Sequence, residues 1–485
     1  MRSLLGVIHV LGSLLALFSI WFLLPVITAL AWREPAALTF LVCGAGTALL
    51  GLLLRLATQR HRTELKPRDG YLLVTLSWLG VAAVAALPLM REIPGLSFTD
   101  AFFESMSGLT TTGSTVLTGI DTLPHAVNLW RHALSWLGGM GIIVMAVAIL
   151  PLLGVGGMQM YRAETPGPVK DAKLTPRITE TARLLSMVYI AFTALCAGAL
   201  WFAGMTPFDA LCHAFSALSL GGFSTHDRNV GYFDSPSIEF ILSVFMLLAA
   251  INFTTHFVAI RKRYFALYAR DPEAKWMLLW VLASCIGLSS YLYALRVYPD
   301  YFSALRHVSF NVISIATDGG FVSTDYGQWP LFAPLWMLFL SCLCASSGST
   351  GGGIRTFRTL VLIKQSFREM FTLVHPQAVA PLKINGQVVP NRVVYSVLAF
   401  IFLYFMTIVT LTFALLASGL DLETSLTAII ASVNNAGPGL HLVGPTSTFV
   451  SLTDFQTWMC IAAMFLGRIE IFTVVVLFTP TFWRK

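Results

Sequence analysis

Four short segments rich in small and polar residues recur at intervals of about a hundred residues, and each ends in glycine. They occupy residues 110–113, 219–222, 317–320 and 434–437, and read Thr-Thr-Thr-Gly, Ser-Leu-Gly-Gly, Thr-Asp-Gly-Gly and Asn-Asn-Ala-Gly. The side chains at matching positions differ too much to form a cage of oxygen ligands, but every residue carries a backbone carbonyl. Rings of such carbonyls can replace the hydration shell of a cation. The four tetrads therefore predict main-chain binding of a desolvated cation.

The last three residues of each tetrad are the predicted ligands, each through its carbonyl oxygen. Glycine at the final position permits a positive φ and lets the backbone approach an ion closely. The set comprises Thr111, Thr112, Gly113, Leu220, Gly221, Gly222, Asp318, Gly319, Gly320, Asn435, Ala436 and Gly437. Asp318 departs from the pattern because it brings a carboxylate to the loop. We expect its side chain to point behind the loop.

A short amphipathic segment precedes each tetrad and is expected to form a helix. An acidic residue opens each segment: Asp100, Asp209, Asp300 and Glu423. A carboxylate at a helix N-terminus satisfies free N–H groups and complements the helix dipole, so capping explains these acids better than catalysis does. The opposite end of each helix carries about half a negative charge. Four such ends directed at the tetrads would favour a cation.

Long apolar segments flank each short helix and its tetrad. The chain is 56% hydrophobic and 11% charged, whereas an ordinary soluble domain has about 25% charged residues. No polar stretch is long enough for a soluble domain, so the sequence predicts a polytopic membrane protein. The seven cysteines lie in apolar segments without a C-x-x-C pair, which indicates neither a disulfide framework nor a zinc site.

The repeated order of apolar span, short helix, tetrad and apolar span predicts the fold class. We expect an all-α polytopic membrane protein with four pseudo-symmetric helix–pore-loop–helix units around one pore, preceded by two extra transmembrane helices. Uninterrupted spans reach the roughly 20 apolar residues that a ~30 Å bilayer core requires, and we expect two spans at the N-terminus and two in each unit. The predicted divisions are 1–62 for the two-helix segment, 63–160 for unit 1, 161–270 for unit 2, 271–375 for unit 3 with a broken second helix, and 376–485 for unit 4. For the first two helices, a scaffold or dimer surface is favoured over a transport role.

Basic residues concentrate in the connections between units and at the C-terminus. They are Arg162, Lys170, Lys173 and Arg177 in the first connection, Arg261, Lys262, Arg263 and Arg270 in the second, Arg355, Arg358, Lys364, Arg368, Lys383 and Arg392 in the third, and Arg484 with Lys485 at the end. By the positive-inside rule, both termini and these connections are expected in the cytoplasm, with the tetrads opening outward. The same placement explains the net charge of +7 without a nucleic-acid partner.

Seven stretches along nearly the whole chain carry a resemblance to a known family. The chain resembles the TrkH/TrkG potassium-uptake proteins of the Trk/Ktr/HKT superfamily. The matching stretches are KPRDG at 66–70, SGLTTTG at 107–113, LPLLG at 150–154, PGP at 166–168, SLGGFST at 219–225, GSTGGGI at 348–354 and LGRIE at 466–470.

This resemblance implies uptake of K⁺, and of Rb⁺, across the bacterial inner membrane, in contact with membrane lipid and without an organic cofactor. It implies a homodimer in which each protomer has its own pore, gated by a cytosolic nucleotide-binding regulatory subunit of the TrkA type. In the superfamily, serine in place of the first filter glycine goes with sodium permeation. The matching residue is Gly113, so the resemblance implies selectivity for potassium.

Arg468 falls near the middle of the last apolar span, where we expect about 17 residues of helix, or roughly 25 Å, on either side. A charge at that depth is costly and marks an ion path. Glu470 is a less favoured partner, because a residue two positions away lies on a different helix face. We expect Arg468 to face the pore and limit cation leakage through its positive charge, a role that the resemblance also implies.

Residues 346–353 lack any apolar side chain and interrupt the second span of unit 3. Non-helical backbone at membrane depth is tolerated only against protein or a water-filled cavity. We therefore expect a mobile gate beneath the filter, with Gly348, Gly351, Gly352 and Gly353 as gating residues. A phosphate-binding loop is the rival interpretation, but the Lys-Ser/Thr ending and a preceding strand are missing.

After this loop, Asn385-Gly386 between β-prone residues predicts a cytoplasmic hairpin at 383–389, either a docking surface for a regulatory partner or a solvated loop. Two other functions stay open. One is a K⁺ symporter coupled to Na⁺ or H⁺, although the midplane shows no proton relay of Asp, Glu and His residues. The other is a membrane-embedded hydrolase, but Asp121, His125, His226, Asp227 and Asp325 form no recognisable constellation. The sequence does not favour an enzyme.

Overall fold

A computed structural model of the protein describes residues 2–61, 66–148 and 178–484, and these residues are mostly α-helical. Two of the stretches that carry the resemblance, at 150–154 and 166–168, lie outside the described residues. The basic residues predicted for the first connection lie outside them as well: Arg162, Lys170, Lys173 and Arg177.

The N-terminal segment forms the two expected spans. Helices α1 (Arg2–Phe18) and α2 (Leu23–Trp32) are joined by a 3₁₀ turn into one apolar span, and α3 (Ala36–Ala57) returns beside it. The α1 and α3 backbones approach so closely that a β-carbon on Gly12 would lie 2.7 Å from the carbonyl oxygen of Gly51. Small residues allow this close packing of membrane helices.

All four units have the predicted order of long helix, short helix, loop and second helical segment. Unit 1 contains α4 (Pro67–Glu92), α5 (Phe98–Leu109) and α6 (His125–Ala148); unit 2 contains α7 (Ile178–Phe202), α8 (Pro207–Ser219), α9 (Pro236–Ala250) and α10 (Phe253–Lys262), followed by α11 (Ala266–Arg270). Unit 3 contains α12 (Pro272–Ala294), α13 (Tyr301–Ala316), α14 (Phe332–Leu343) and α15 (Thr356–Val374); unit 4 contains α16 (Asn391–Ala417), α17 (Leu422–Asn434), α18 (Asp454–Arg468), α19 (Ile471–Val475) and α20 (Pro480–Trp483). The short helices are α5, α8, α13 and α17.

The second spans of units 2 and 4 are sharply bent, whereas the sequence predicted a break in unit 3 alone. The chain turns by 97° between α9 and α10 and by 109° after α18. In unit 2 the side chain of Asn252 accepts the N–H of Thr254, so it caps a new helix in the middle of an apolar segment. In unit 4 Glu470 has a φ of +67°, which a continuous helix cannot contain.

Within the described residues, six helices are long and apolar enough to cross a membrane, and up to eight spans result if each bent pair is one span. The second spans expected in units 1 and 3 are not among them. The first runs into residues outside the described part, and the second is divided between α14 and α15.

The expected acidic residues lie at the N-termini of the four short helices, and unit 4 has a second one. Asp100 and Asp209 lie in the first turn behind the N-caps Ser97 and Thr206, and Asp300 is itself an N-cap. Glu423 likewise lies in the first turn of α17. Asp421 is the N-cap there, and its carboxylate accepts the N–H of Thr424 at 2.9 Å.

The predicted hairpin at 383–389 is confirmed as a structural element. Strands β1 (Lys383–Ile384) and β2 (Gln387–Val388) pair antiparallel around Asn385 and Gly386, both of which have positive φ. Such backbone angles are what a two-residue Asn-Gly turn requires.

Candidate cation-binding site

The four short helices end in the same backbone turn. The first predicted ligand of every tetrad has a left-handed conformation, with φ of 52° at Thr111, 56° at Leu220, 64° at Asp318 and 59° at Asn435. The N–H of the next residue then donates to the carbonyl five positions earlier: Thr112 to Ser107 at 2.8 Å, Gly221 to Ser216 at 2.8 Å, Gly319 to Ser314 at 2.6 Å and Ala436 to Ala431 at 2.9 Å. This turn closes each helix and directs the chain into the tetrad. The internal repetition seen in the sequence is therefore a repetition of geometry.

The glycines that end the tetrads, Gly113, Gly222, Gly320 and Gly437, lie next to one another in a closed circuit. All four have positive φ. A β-carbon on Gly113 would collide with the carbonyl oxygen of Gly221 in unit 2, and one on Gly222 would lie 2.8 Å from the Cα of Gly320. A β-carbon on Gly320 would lie 3.2 Å from the carbonyl oxygen of Ala436, and one on Gly437 would lie 2.9 Å from that of Thr112. Units 1, 2, 3 and 4 thus meet in sequence, and unit 4 returns to unit 1.

Most of the predicted ligand carbonyls have no hydrogen-bond donor. Three of the twelve accept one: Gly221 from the N–H of Phe223, Gly222 from the amide of Asn229, and Gly437 from the hydroxyl of Ser114. The remaining nine accept none from the described residues. Each carbonyl has two lone pairs, so even the three engaged oxygens keep some capacity to accept.

The polar side chains at two ligand positions point into the protein. The carboxylate of Asp318 is buried and accepts the N–H of Gly352 at 2.9 Å, which confirms that it points behind the loop. The amide of Asn435 donates to the hydroxyl of Thr112 at 2.9 Å and to the carbonyl of Met464 at 3.1 Å. These side chains therefore brace the tetrads from behind. Any ion at the ring would meet backbone oxygens.

A cavity of about 190 Å³ opens above the glycine circuit. Gly113, Gly222 and Gly320 form part of its wall, and Arg131 and His226 line it as well.

His226 links the outer loops of units 1 and 2 beside this cavity. Its Nδ1 pairs with the carboxylate of Asp121, its Nε2 lies 3.7 Å from the carboxylate of Asp209, and its ring stacks on Tyr232 with centroids 3.6 Å apart. Asp227 closes the link, because its N–H donates to Asp121 at 3.1 Å. Burial alone would lower the pKa of His226, but hydrogen bonds and attraction to the two carboxylates outweigh burial and raise the pKa above the ordinary 6.5.

Of the five residues considered for a hydrolase, Asp121, His226 and Asp227 meet here as a structural link. In the part of the chain that is described, no group of three or more His, Cys, Asp or Glu residues could hold a metal.

The polar loop of unit 3 packs against the inner ends of the short helices. The hydroxyl of Thr350 donates to the carbonyl of Leu218 at 3.1 Å, and the N–H of Gly352 donates to Asp318 in the tetrad of unit 3. A β-carbon on Gly352 would collide with the carbonyl oxygen of Asn434 at the end of α17. Of the predicted gating glycines, Gly351 lies beside Asp318, since a β-carbon on it would be 3.3 Å from that carboxylate. Gly348 and Gly353 turn the loop with φ of +75° and +68°. The loop therefore touches three of the four units directly beneath the tetrads.

Arg468 holds this loop from unit 4. Its side chain is buried, and its guanidinium donates to the carbonyl of Thr350 at 2.7 Å and to that of Gly138 at 3.5 Å. The expectation of about 17 helical residues on either side of Arg468 was wrong, because α18 ends at this residue. Glu470 does not pair with Arg468. It forms an ion pair with Arg358 at 2.9 Å.

Sequence reasoning missed the places where the broken spans meet. The N–H of Phe253, at the break of unit 2, donates to the carbonyl of Gly348 in the loop of unit 3 at 3.1 Å. Arg468 makes the corresponding link from the break of unit 4. Asn252 and the Arg-Ile-Glu run at 468–470 were the available signals, because polar residues inside apolar spans mark buried polar partners.

Comparison with known proteins places this geometry in one family. The model of the TrkH family, described as a cation transport protein, matches residues 39–485. The Trk system potassium uptake protein TrkH of Salmonella typhimurium is 44% identical over 481 residues, which cover 99% of each chain. The protein TrkG of Escherichia coli, also named a Trk system potassium uptake protein, is 38% identical over 99% of this chain and 98% of its own length.

A solved structure agrees with the fold. The crystal structure of the potassium transporter TrkH from Vibrio parahaemolyticus matches with a TM-score of 0.91 and 42% sequence identity. The match covers 100% of this chain and 99% of that chain.

We expect the His226 link to make stability depend on pH. Because the pKa of His226 is raised on folding, the link contributes its full stabilising free energy below pH 6.5. This stabilisation is lost as the pH rises through the higher pKa of the folded state. The thermal midpoint of the wild type should fall over that window by the equivalent of about 0.5 kcal/mol, as is typical of partly exposed ion pairs. In thermal melts measured from pH 6 to pH 9, the midpoint of His226→Gln should change less with pH than that of the wild type.

His375→Gln is the matched control, since His375 follows α15 and contacts only the ring of Phe371 among aromatic side chains. An unchanged pH slope in His226→Gln would contradict the assignment.

Proposed function

This chain belongs to the TrkH family of cation transport proteins, and we propose that it carries K⁺, and Rb⁺, into the bacterial cytoplasm through a channel-like filter formed by its four units. The relatives from Salmonella typhimurium and Escherichia coli are named potassium uptake proteins, which supports the choice of ion. The observation that carries the proposal is the closed circuit of Gly113, Gly222, Gly320 and Gly437.

In this proposal, the carbonyl oxygens of the twelve tetrad residues replace the water around the ion. The nine carbonyls without a protein donor supply lone pairs, and the helix ends behind them supply negative potential. Backbone oxygens suit a monovalent cation that must bind and then leave, since they carry only partial charge. The cavity beside His226 then serves as the outer entrance.

The loop at 346–353 is the proposed gate. In the structure it lies against the tetrads and is held by Arg468 at Thr350 and by Asp318 at Gly352. Hydrogen bonds of this kind can be exchanged for water when the loop moves, so release of a few contacts would open a path. The structure corresponds to the closed state in this account.

The wider assembly follows from the family and from the charge distribution. We propose a homodimer in the inner membrane with both termini in the cytoplasm, regulated by a cytosolic nucleotide-binding subunit of the TrkA type. The hairpin at 383–389, which we place on the cytoplasmic side, is the proposed docking element. The division into a two-helix segment and four units at 1–62, 63–160, 161–270, 271–375 and 376–485 is part of this proposal.

Uptake of radioactive rubidium by purified protein in liposomes tests the function. We expect uptake without a Na⁺ or pH gradient, blocked by excess K⁺ and not by equal Na⁺. Uptake that requires one of these gradients would replace the channel-like proposal with a coupled symporter. Absence of rubidium uptake, both without and with an added cytosolic fraction, would contradict the transport function.

Gly113→Ser should reduce the discrimination between K⁺ and Na⁺ severalfold. The added β-carbon would displace the carbonyl of Gly221 and disturb the ring. Competition of Na⁺ against rubidium uptake measures the effect. Gly119→Ser is the matched control, because Gly119 also has a positive φ, of 70°, in the same outer loop but has no neighbour from another unit. Equal discrimination in Gly113→Ser and wild type would contradict the filter assignment.

Arg468→Ala should raise rubidium flux severalfold, since it removes both the hydrogen bond to Thr350 and a buried positive charge. Arg468→Lys separates these effects, because lysine keeps the charge but lacks the planar group that reaches two carbonyls. We expect a flux between those of wild type and Arg468→Ala. Wild-type flux in Arg468→Ala would remove Arg468 from the gate.

A further inference from the structure

In each unit, a polar side chain of the short helix contacts the segment that follows the tetrad. Glu104, His213 and Asn311 each precede the glycine of their tetrad by nine residues, and Thr427 precedes Gly437 by ten. The partners lie two or three residues beyond the same glycines. We call these four contacts the exit braces, because they fix the backbone where it emerges from the ring.

The exit braces share a place but differ in chemistry. In unit 1, Glu104 accepts hydrogen bonds from the hydroxyl of Thr115 at 3.0 Å and from the N–H of Val116 at 3.1 Å. In unit 2, His213 forms a hydrogen bond with the hydroxyl of Ser224 at 2.9 Å, and in unit 3 the amide of Asn311 donates to the hydroxyl of Ser323 at 2.9 Å. In unit 4, the hydroxyl of Thr427 accepts the N–H of Leu440 at 3.0 Å. Units 2, 3 and 4 use an imidazole, an amide and a hydroxyl. Unit 1 alone among them uses a carboxylate.

The carboxylate of unit 1 is paired with a buried arginine. Nε of Arg131 donates to Glu104 at 2.7 Å, and the two side chains are 1% and 0% exposed. Glu104 thus has three donors, so its charge is fully satisfied in the interior. Arg131 comes from α6, which means that three elements of unit 1 meet at this pair.

Arg131 also reaches the exit segment of the neighbouring unit. Its Nη1 donates to the carbonyl of Ser224 at 3.4 Å, and its guanidinium lies 4.4 Å from the centre of the Phe223 ring. Ser224 is the partner of His213 in the brace of unit 2. The ion pair therefore joins two exit braces and fixes units 1 and 2 relative to each other just outside Gly113 and Gly222.

We propose that Glu104 and Arg131 are positioning residues for ion discrimination: the buried ion pair holds the exit segments of units 1 and 2 so that their tetrad carbonyls keep the spacing that favours the larger cation. This inference rests on the proposed function. It follows that unit 1 is the unit at which the width of the ring is fixed most rigidly. Neither side chain coordinates the ion at the ring in this account, since both act there through the backbone.

The test compares the double variant Glu104→Gln/Arg131→Gln with wild type in liposomes. Removing both charges avoids leaving one of them buried and unpaired, which would endanger folding. We expect rubidium uptake to persist. The Na⁺ concentration that halves this uptake, divided by the K⁺ concentration that halves it, should fall about tenfold, because small displacements of binding groups have large effects. The conservative single variant Arg131→Lys should restore part of the discrimination.

Arg306→Gln/Glu239→Gln is the matched control. In that pair the two groups lie 2.7 Å apart, the Arg306 side chain is 28% exposed and that of Glu239 5%, and among the described residues neither hydrogen-bonds to a tetrad or an exit segment. Wild-type discrimination in the folded Glu104/Arg131 double variant would overturn the inference and leave the proposed function intact. A double variant that fails to fold is replaced in the same assay by Glu104→Asp, which keeps the charge and shortens its reach. Wild type without rubidium uptake would remove the proposed function and this inference together.

Discussion

Backbone carbonyls that stand inside a membrane protein without a hydrogen-bond donor are the constraint on which the rest of this structure depends. A buried peptide oxygen without a partner costs free energy, and the cost is greatest where water is excluded. Nine tetrad oxygens that accept no hydrogen bond from the described residues lie around the circuit of Gly113, Gly222, Gly320 and Gly437. They can be kept there only if the surrounding protein holds the tetrads in place and if a cation or water supplies the missing interaction. The identical turns at the ends of the four short helices supply the first of these conditions.

The same constraint explains the broken helices. Each break frees backbone groups at membrane depth, and these groups find partners in other breaks: Phe253 with Gly348, and Thr350 with Arg468. The three breaks and the tetrads therefore form one connected polar layer inside an apolar shell. A movement of the loop must exchange hydrogen bonds in this layer, and the bond between Gly352 and Asp318 connects the loop directly to the tetrad of unit 3.

The sequence predicted the parts of the site that are local. Glycine at the end of each tetrad and an acid-capped helix before it are features of a few adjacent residues, so the repeated design could be read directly. The left-handed conformation of Leu220 could not, because leucine gives no signal for a positive φ. The bends of units 2 and 4 lie inside apolar segments, where polar residues such as Asn252 and Glu470 mark the break but do not give its angle. Contacts between units, such as that of Arg131 with Ser224, depend on how the units assemble, and no spacing along the chain encodes them.

The central claim is that the four glycine corners form one site for a dehydrated potassium-like ion. Anomalous diffraction from crystals of the whole protein grown in rubidium salt tests it most directly. The account predicts a rubidium peak on the common axis of the tetrads, within coordination distance of carbonyl oxygens from all four units, that disappears when sodium replaces rubidium. A ring without a peak, or a rubidium site held by side chains elsewhere in the membrane region, would contradict it.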